Sequence, residues 1–143
     1  MRVLAVDVGA RRIGLAISDR SRTLARPLAT FTVANASEGV RRVAETIAQL
    51  SAEDDGLATV VVGMPARLDG SPTDQTARAV EFVNALRAAT ANRPLLITTE
   101  DERLTSREAE SKLALRERDW RRRKEKLDAA AAAVFLQDYL DRL

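Results

Sequence analysis

The chain has 143 residues, 45% of them apolar and 31% charged, with a formal net charge of +2. That length and balance fit one soluble domain, 1–143, able to bury a core of its own. It holds no cysteine and no histidine, which excludes disulfides, thiolate or imidazole catalysis, and zinc held by sulfur or nitrogen ligands. Catalysis is left to Asp, Glu, Lys, Arg, Ser, Thr and a single Tyr, and a metal held by oxygen ligands alone would be Mg²⁺ or Mn²⁺.

The first strand is expected over Leu4–Val8, an apolar run with one carboxylate, Asp7, in line with core side chains. An ionised carboxylate there is costly unless it is paired or metal-bound, though a frayed strand end accepting turn hydrogen bonds would also accommodate it. Gly9-Ala10-Arg11-Arg12 makes a basic turn, and Ile13 to Ile17 returns as a second strand closing on Ser18-Asp19, together a hairpin. Asp19 fits a turn. Ala29 to Val33 alternates well enough for a third strand. Asn35 with Glu38 resembles a capping box, and Val40, Val43, Ala44, Ile47 and Leu50 recur at helical spacing.

Thr59 to Val62 is a short, continuously apolar strand suited to the inside of a sheet. It runs into Gly63-Met64-Pro65 and a loop through Asp69-Gly70-Ser71-Pro72, at the strand edge where open α/β sheets bind ligands. Ser71-Pro72 starts a second helix marked by Ala79, Val80, Val83 and Leu86. Leu95 to Thr99 is a fifth strand, ending on Glu100-Asp101-Glu102. Thr105 and Glu108 form a capping box for a third helix through Leu113. Between Arg116 and Lys126, seven Lys/Arg stand against three acids, favouring anionic partners if the run is more than a solvated face. This run is expected as a loop or helix extension, with Asp128 opening a final alanine-rich helix, Ala129 to Leu143.

A meander followed by β-α alternation predicts an α/β fold with a five-stranded mixed sheet and helices on both faces. If the first and fifth strands approach and the last helix crosses their edge, Asp7, Glu102 and Asp128 converge. Clustered carboxylates repel one another unless a divalent cation is shared, and such sites support in-line phosphoryl transfer. Each acid keeps a plainer alternative: Asp128 as a helix cap, Glu102 paired with Arg103.

The motifs Asp7-Val8-Gly9 through Arg11-Arg12-Ile13-Gly14-Leu15-Ala16 to Ser18-Asp19, Val61-Val62-Gly63-Met64-Pro65 with Asp69-Gly70-Ser71, and Asp101-Glu102-Arg103-Leu104-Thr105 recur in a known family. So do Lys126-Leu127-Asp128-Ala129-Ala130-Ala131 and Leu136-Gln137-Asp138-Tyr139-Leu140. Together they resemble the YqgF/RuvX family, relatives of the RuvC Holliday junction resolvase in the RNase H-like superfamily. The resemblance spans nearly the whole chain; Met64 and Glu100 are mild departures from the family's pattern.

It implies an RNase H-like fold and a nuclease site where Asp7, Glu102 and Asp128 ligate Mg²⁺ or Mn²⁺, with Arg103 and Lys126 placing the phosphate. Further contacts to nucleic acid are expected from Arg11, Arg12, Arg121, Arg122, Arg123 and Lys124. The family is described both as nucleases processing pre-16S ribosomal RNA and as junction resolvases, so RNA or branched DNA is the expected partner. Three Phe, one Trp and one Tyr leave few stacking platforms, which favours readout by backbone charge and shape.

The expected location is cytoplasmic, since no apolar run reaches the ~20 residues of a membrane span and the N-terminus enters a strand at once. A resolvase would have to be a homodimer, whereas a processing nuclease could be a monomer. Two other classes remain: a non-catalytic RNA-binding module, and a phosphotransferase, because Asp-x-Gly-x(4)-Gly also resembles the first phosphate loop of the sugar kinase/actin superfamily. Those proteins enclose ATP between two such lobes, and this chain has one.

Overall fold

The computed structural model describes residues 1–9, 11–64, 74–101 and 120–143, with side chains described for all of these except 74, 75, 101 and 120–127. The elements in chain order are β1 (Arg2–Val8), β2 (Arg12–Ser18), β3 (Ala25–Thr32), α1 (Ala36–Ala52), β4 (Leu57–Met64), α2 (Asp74–Ala89), β5 (Leu96–Asp101) and α3 (Trp120–Asp141). The five strands form one mixed sheet in the order β3-β2-β1-β4-β5. The hairpin strands pair antiparallel, while β1, β4 and β5 run parallel. β1 and β5 are therefore not neighbours. The buried valines of β4 take the central place between them, which puts the ends of β1 and β5 about 10 Å apart, two strand spacings.

Strand alternation divides the core into two layers. Leu4, Val6, Ile13, Leu15 and Ile17 face one way and pack with Val43 and Ile47 of α1 and with Phe82, Val83 and Leu86 of α2. Val3, Ala5, Ala16 and Val61 face the other way, against Ala132, Phe135, Leu136 and Leu140 of α3. The side chains under α3 are small, and Ala5 lies directly opposite Ala16. A helix rich in alanine can thus lie close on the sheet, with Phe135 filling the space the alanines leave.

Local chemistry fixes the ends of α1. Asn35 is its N-cap and accepts from the Glu38 amide at 2.9 Å, while the Glu38 carboxylate accepts from the Ala34 amide. At the other end the buried Arg2 donates to the carbonyls of Gly56 and Leu50 and pairs with Glu53 at 2.9 Å. This ties the end of α1 to the foot of β1.

Two elements begin earlier than the sequence suggests. β3 begins at Ala25, four residues early, because Pro27 lies on an edge strand where no ladder hydrogen bond is demanded of it. The expected helix over 105–113 and the loop through Asp69-Gly70-Ser71-Pro72 lie outside the described residues. The last helix starts at Trp120 rather than at Asp128. Asp128 is therefore inside α3, not its cap. Among the described residues, no helix is long and apolar enough to cross a membrane.

Candidate metal centre

The turn between β1 and β2 is tight: the Gly9 amide donates to the Arg12 carbonyl at 2.9 Å. That closure sets the register, pairing Val8 with Ile13 and Asp7 with Gly14. Residues directly opposite in an antiparallel pair project to the same face. Asp7 therefore shares the α3 face with Gly14, Arg12 and Ala16, and not the face that holds α1 and α2.

At Gly14 the backbone of α3 comes close to the sheet. A Cβ at Gly14 would collide with the Asp128 carbonyl group and lie 2.9 Å from the Ala129 nitrogen. The space that a side chain opposite Asp7 would fill is taken instead by the backbone of Asp128. Directly paired positions have Cβ atoms about 5 Å apart, so Asp128 sits within one cross-strand step of Asp7. Both are only partly exposed. Carboxylates that share a divalent cation need this kind of proximity, and oxygen donors of this type suit Mg²⁺ or Mn²⁺.

Arg12 joins them. Its Nε lies 2.8 Å from Asp128 Oδ2, an oxygen shielded from solvent. Arg11, next to it, is exposed at the hairpin tip, and its carbonyl accepts from Val33. Arg121, Arg122, Arg123, Lys124 and Lys126 ride on the first two turns of α3, ahead of Asp128, and their side chains are outside the described set. Glu102 and Arg103 also lie outside the described residues. Asp101 closes β5 level with Met64 of β4, so the chain leaves the sheet at the edge where Asp7 stands. Among the described residues, no group of three or more acids that could hold a metal ion is gathered.

Several motif residues turn out to hold the frame. Ser18 is buried and its Oγ accepts from the Val3 amide at 2.8 Å, finishing the β1–β2 ladder with a side chain. Asp19 is a turn residue, as expected. Its Oδ1 accepts from the amides of Thr23 and Leu24, and these hydrogen bonds, Thr23 first, hold its carboxyl below the ordinary 3.8. Gln137 donates to the Thr23 carbonyl and accepts from the Ala25 amide, at 2.8 and 2.9 Å, clamping α3 to the start of β3. Glu100 pairs with Arg142 near the end of the same helix.

Sequence reasoning overlooked Gly14 and the Arg12–Asp128 pair. A signal was present: once a two-residue turn at 10–11 is assumed, counting back from it places Gly14 opposite Asp7.

A cleft of about 610 Å³ opens on the other face, between α1 and α2, lined by Val8, Ile13, Val40 and Phe82 with Arg78 and Glu81 among its polar groups. It is mainly apolar and separated from the carboxylate pair by the sheet. The cleft thus lies on the face opposite the one that Asp7 shares with α3.

Comparison with known proteins identifies the family. The family model described as "RuvX: Holliday junction resolvase" matches residues 1–142. A protein of Chloroflexus aggregans named "Putative pre-16S rRNA nuclease" is 40% identical over 97% of this chain and 92% of its own length. One of the same name from Anaeromyxobacter sp. (strain K) is 38% identical over 99% of this chain and 98% of its own. Among solved structures, Thermus thermophilus RuvC in complex with a Holliday junction substrate aligns with a TM-score of 0.54 at 18% identity. That alignment covers 99% of this chain and 95% of RuvC, and it speaks to the fold alone.

Proposed function

The chain belongs to the RuvX family of nucleases, and from that premise we propose that it is a divalent-metal-dependent nuclease whose substrate is the 5′ end of pre-16S ribosomal RNA. The observation that carries the reading is the placement of Asp128 over Gly14, opposite Asp7. In this reading, two acids far apart in sequence approach each other across a position with no side chain. The substrate follows the curated relatives, which share that name over nearly their whole length.

In this reading Asp7 and Asp128, with Glu102 as the third carboxylate, hold Mg²⁺ or Mn²⁺. The cation supplies Lewis-acid stabilisation of the phosphoryl oxygens and a more acidic attacking water. The chain's own residues do the remaining work. Asp7, on a central strand, is the rigid member of the set. Asp128 is presented by a helix fixed at Gly14, at Gln137 and through Phe135. Arg103 and Lys126 place the scissile phosphate, and Arg11 with the run Arg121–Lys124 supplies backbone contacts that do not depend on base identity.

The test sets a precursor RNA carrying the 5′ extension beside a four-way DNA junction, each with Mg²⁺, Mn²⁺ or EDTA. Wild type is expected to cut the RNA with metal and not with EDTA, and Asp7→Asn or Asp128→Asn should lower the rate by at least ~100-fold. Symmetric nicks in the junction, with the RNA left intact, would replace this substrate by branched DNA and require a dimer. Cutting that survives both substitutions would overturn the metal centre.

A further inference from the structure

We propose that Arg12 is the built-in counter-ion of the carboxylate pair, a positioning residue that occupies Asp128 when no divalent cation is bound and competes with that cation for it. The inference rests on the metal-centre reading above and adds a control on metal affinity that the carboxylates alone do not supply.

Three observations carry it. Arg12 reaches Asp128 Oδ2 at 2.8 Å through Nε, from the sheet face that it shares with Gly14 and Asp7. Its hold is slight. Arg2, which is buried, is fastened by two backbone carbonyls as well as Glu53, whereas Arg12 makes a single side-chain contact among the described residues. Finally, the Arg12 side chain is 35% exposed while that of Asp128 is 23% exposed, so the guanidinium has solvent to retreat into and the carboxylate has less. An arginine meant as a permanent clamp would be bidentate and enclosed.

The physical consequence is a trade. Without metal, Asp7 and Asp128 repel each other, and Arg12 offsets that repulsion. With metal, the same positive charge opposes the incoming cation. A divalent ion and a guanidinium about 5 Å apart in a water-like medium repel enough to shift affinity by roughly tenfold at low salt.

The experiment measures Mn²⁺ binding by calorimetry and thermal melting in EDTA or Mn²⁺, without any cleavage step. Arg12→Gln is expected to bind Mn²⁺ about tenfold tighter than wild type, to melt lower in EDTA, and to recover most of that difference in Mn²⁺. Arg12→Lys, which keeps the charge without the Nε contact, should shift in the same direction by less. The double variant Arg12→Gln, Asp128→Asn should melt near wild type in EDTA, because both partners of the pair are gone. Mn²⁺ binding that is unchanged or weaker in Arg12→Gln and Arg12→Lys overturns the inference while leaving the metal centre standing. A wild-type chain that binds no Mn²⁺ overturns both.

Discussion

Replacing Gly14 with alanine would place a methyl group where the Asp128 backbone lies, and neither an inner strand nor a helix packed on the sheet yields easily. The expected loss is about 1–3 kcal/mol of stability, read as a drop in melting temperature, together with weaker Mn²⁺ binding because Asp128 is displaced. A stable Gly14→Ala chain with unaltered metal binding would show that the close approach is dispensable. Asp19 makes a separate, pH-dependent prediction. Its carboxyl is held below 3.8 by the Thr23 and Leu24 amides, so it stabilises the fold above that pH, and the contribution is lost as pH falls through the lowered value. The melting-temperature difference between wild type and Asp19→Asn should be constant near neutrality and change only below about pH 4. At this scale Asp7 stands out in the sequence because it breaks an apolar run. Arg12 does not, since its Asp128 partner is 116 positions away in the chain and nothing local marks the pairing.

The elements most visible in the sequence were those with an apolar rhythm. β1, β2, β4 and α1 follow their hydrophobic spacing, and the Asn35 cap sits where the Asn-x-x-Glu pattern puts it. The start of α3 escaped because its first two turns, Trp-Arg-Arg-Arg-Lys-Glu-Lys-Leu, are composed of good helix formers without an apolar stripe. Apolar periodicity is what marks a helix in a sequence, and that segment has no apolar period. Asp128 consequently looked like a cap, although it belongs to the middle of a helix whose later turns are anchored on β3. Gln137 provides the test of that anchorage. Gln137→Leu removes the partners of the Thr23 carbonyl and the Ala25 amide and is expected to lower stability by about 1 kcal/mol, the partial exposure of both groups limiting the loss. If α3 positions Asp128, the same substitution should weaken Mn²⁺ binding although residue 137 is nine positions from Asp128.

For the whole molecule, strand order decides what can meet. The alternation of strands and helices was enough to infer a mixed sheet with helices on both faces. It did not reveal that β4 lies between β1 and β5, because strand order depends on how buried each strand is and not on its place in the chain. The separation matters, since it sets Asp7 and the end of β5 on opposite sides of a central strand, about 10 Å apart, with α3 crossing above. Charge is a second property of the whole. A net +2 is modest, so nucleic-acid binding must come from local basic groups, of which Arg11 is exposed beside the carboxylate pair. In an Asp7→Asn background, Arg11→Ala should weaken binding to structured RNA and reduce the slope of log affinity against log salt by about 1.

The central claim is that Asp7 and Asp128 hold one divalent cation between them. Crystals soaked in Mn²⁺ would test it by anomalous scattering. The account predicts a peak within about 2.2 Å of a carboxylate oxygen from each residue, absent from crystals of Asp7→Asn. A peak elsewhere in the chain, or none in protein that still cuts nucleic acid, would contradict it.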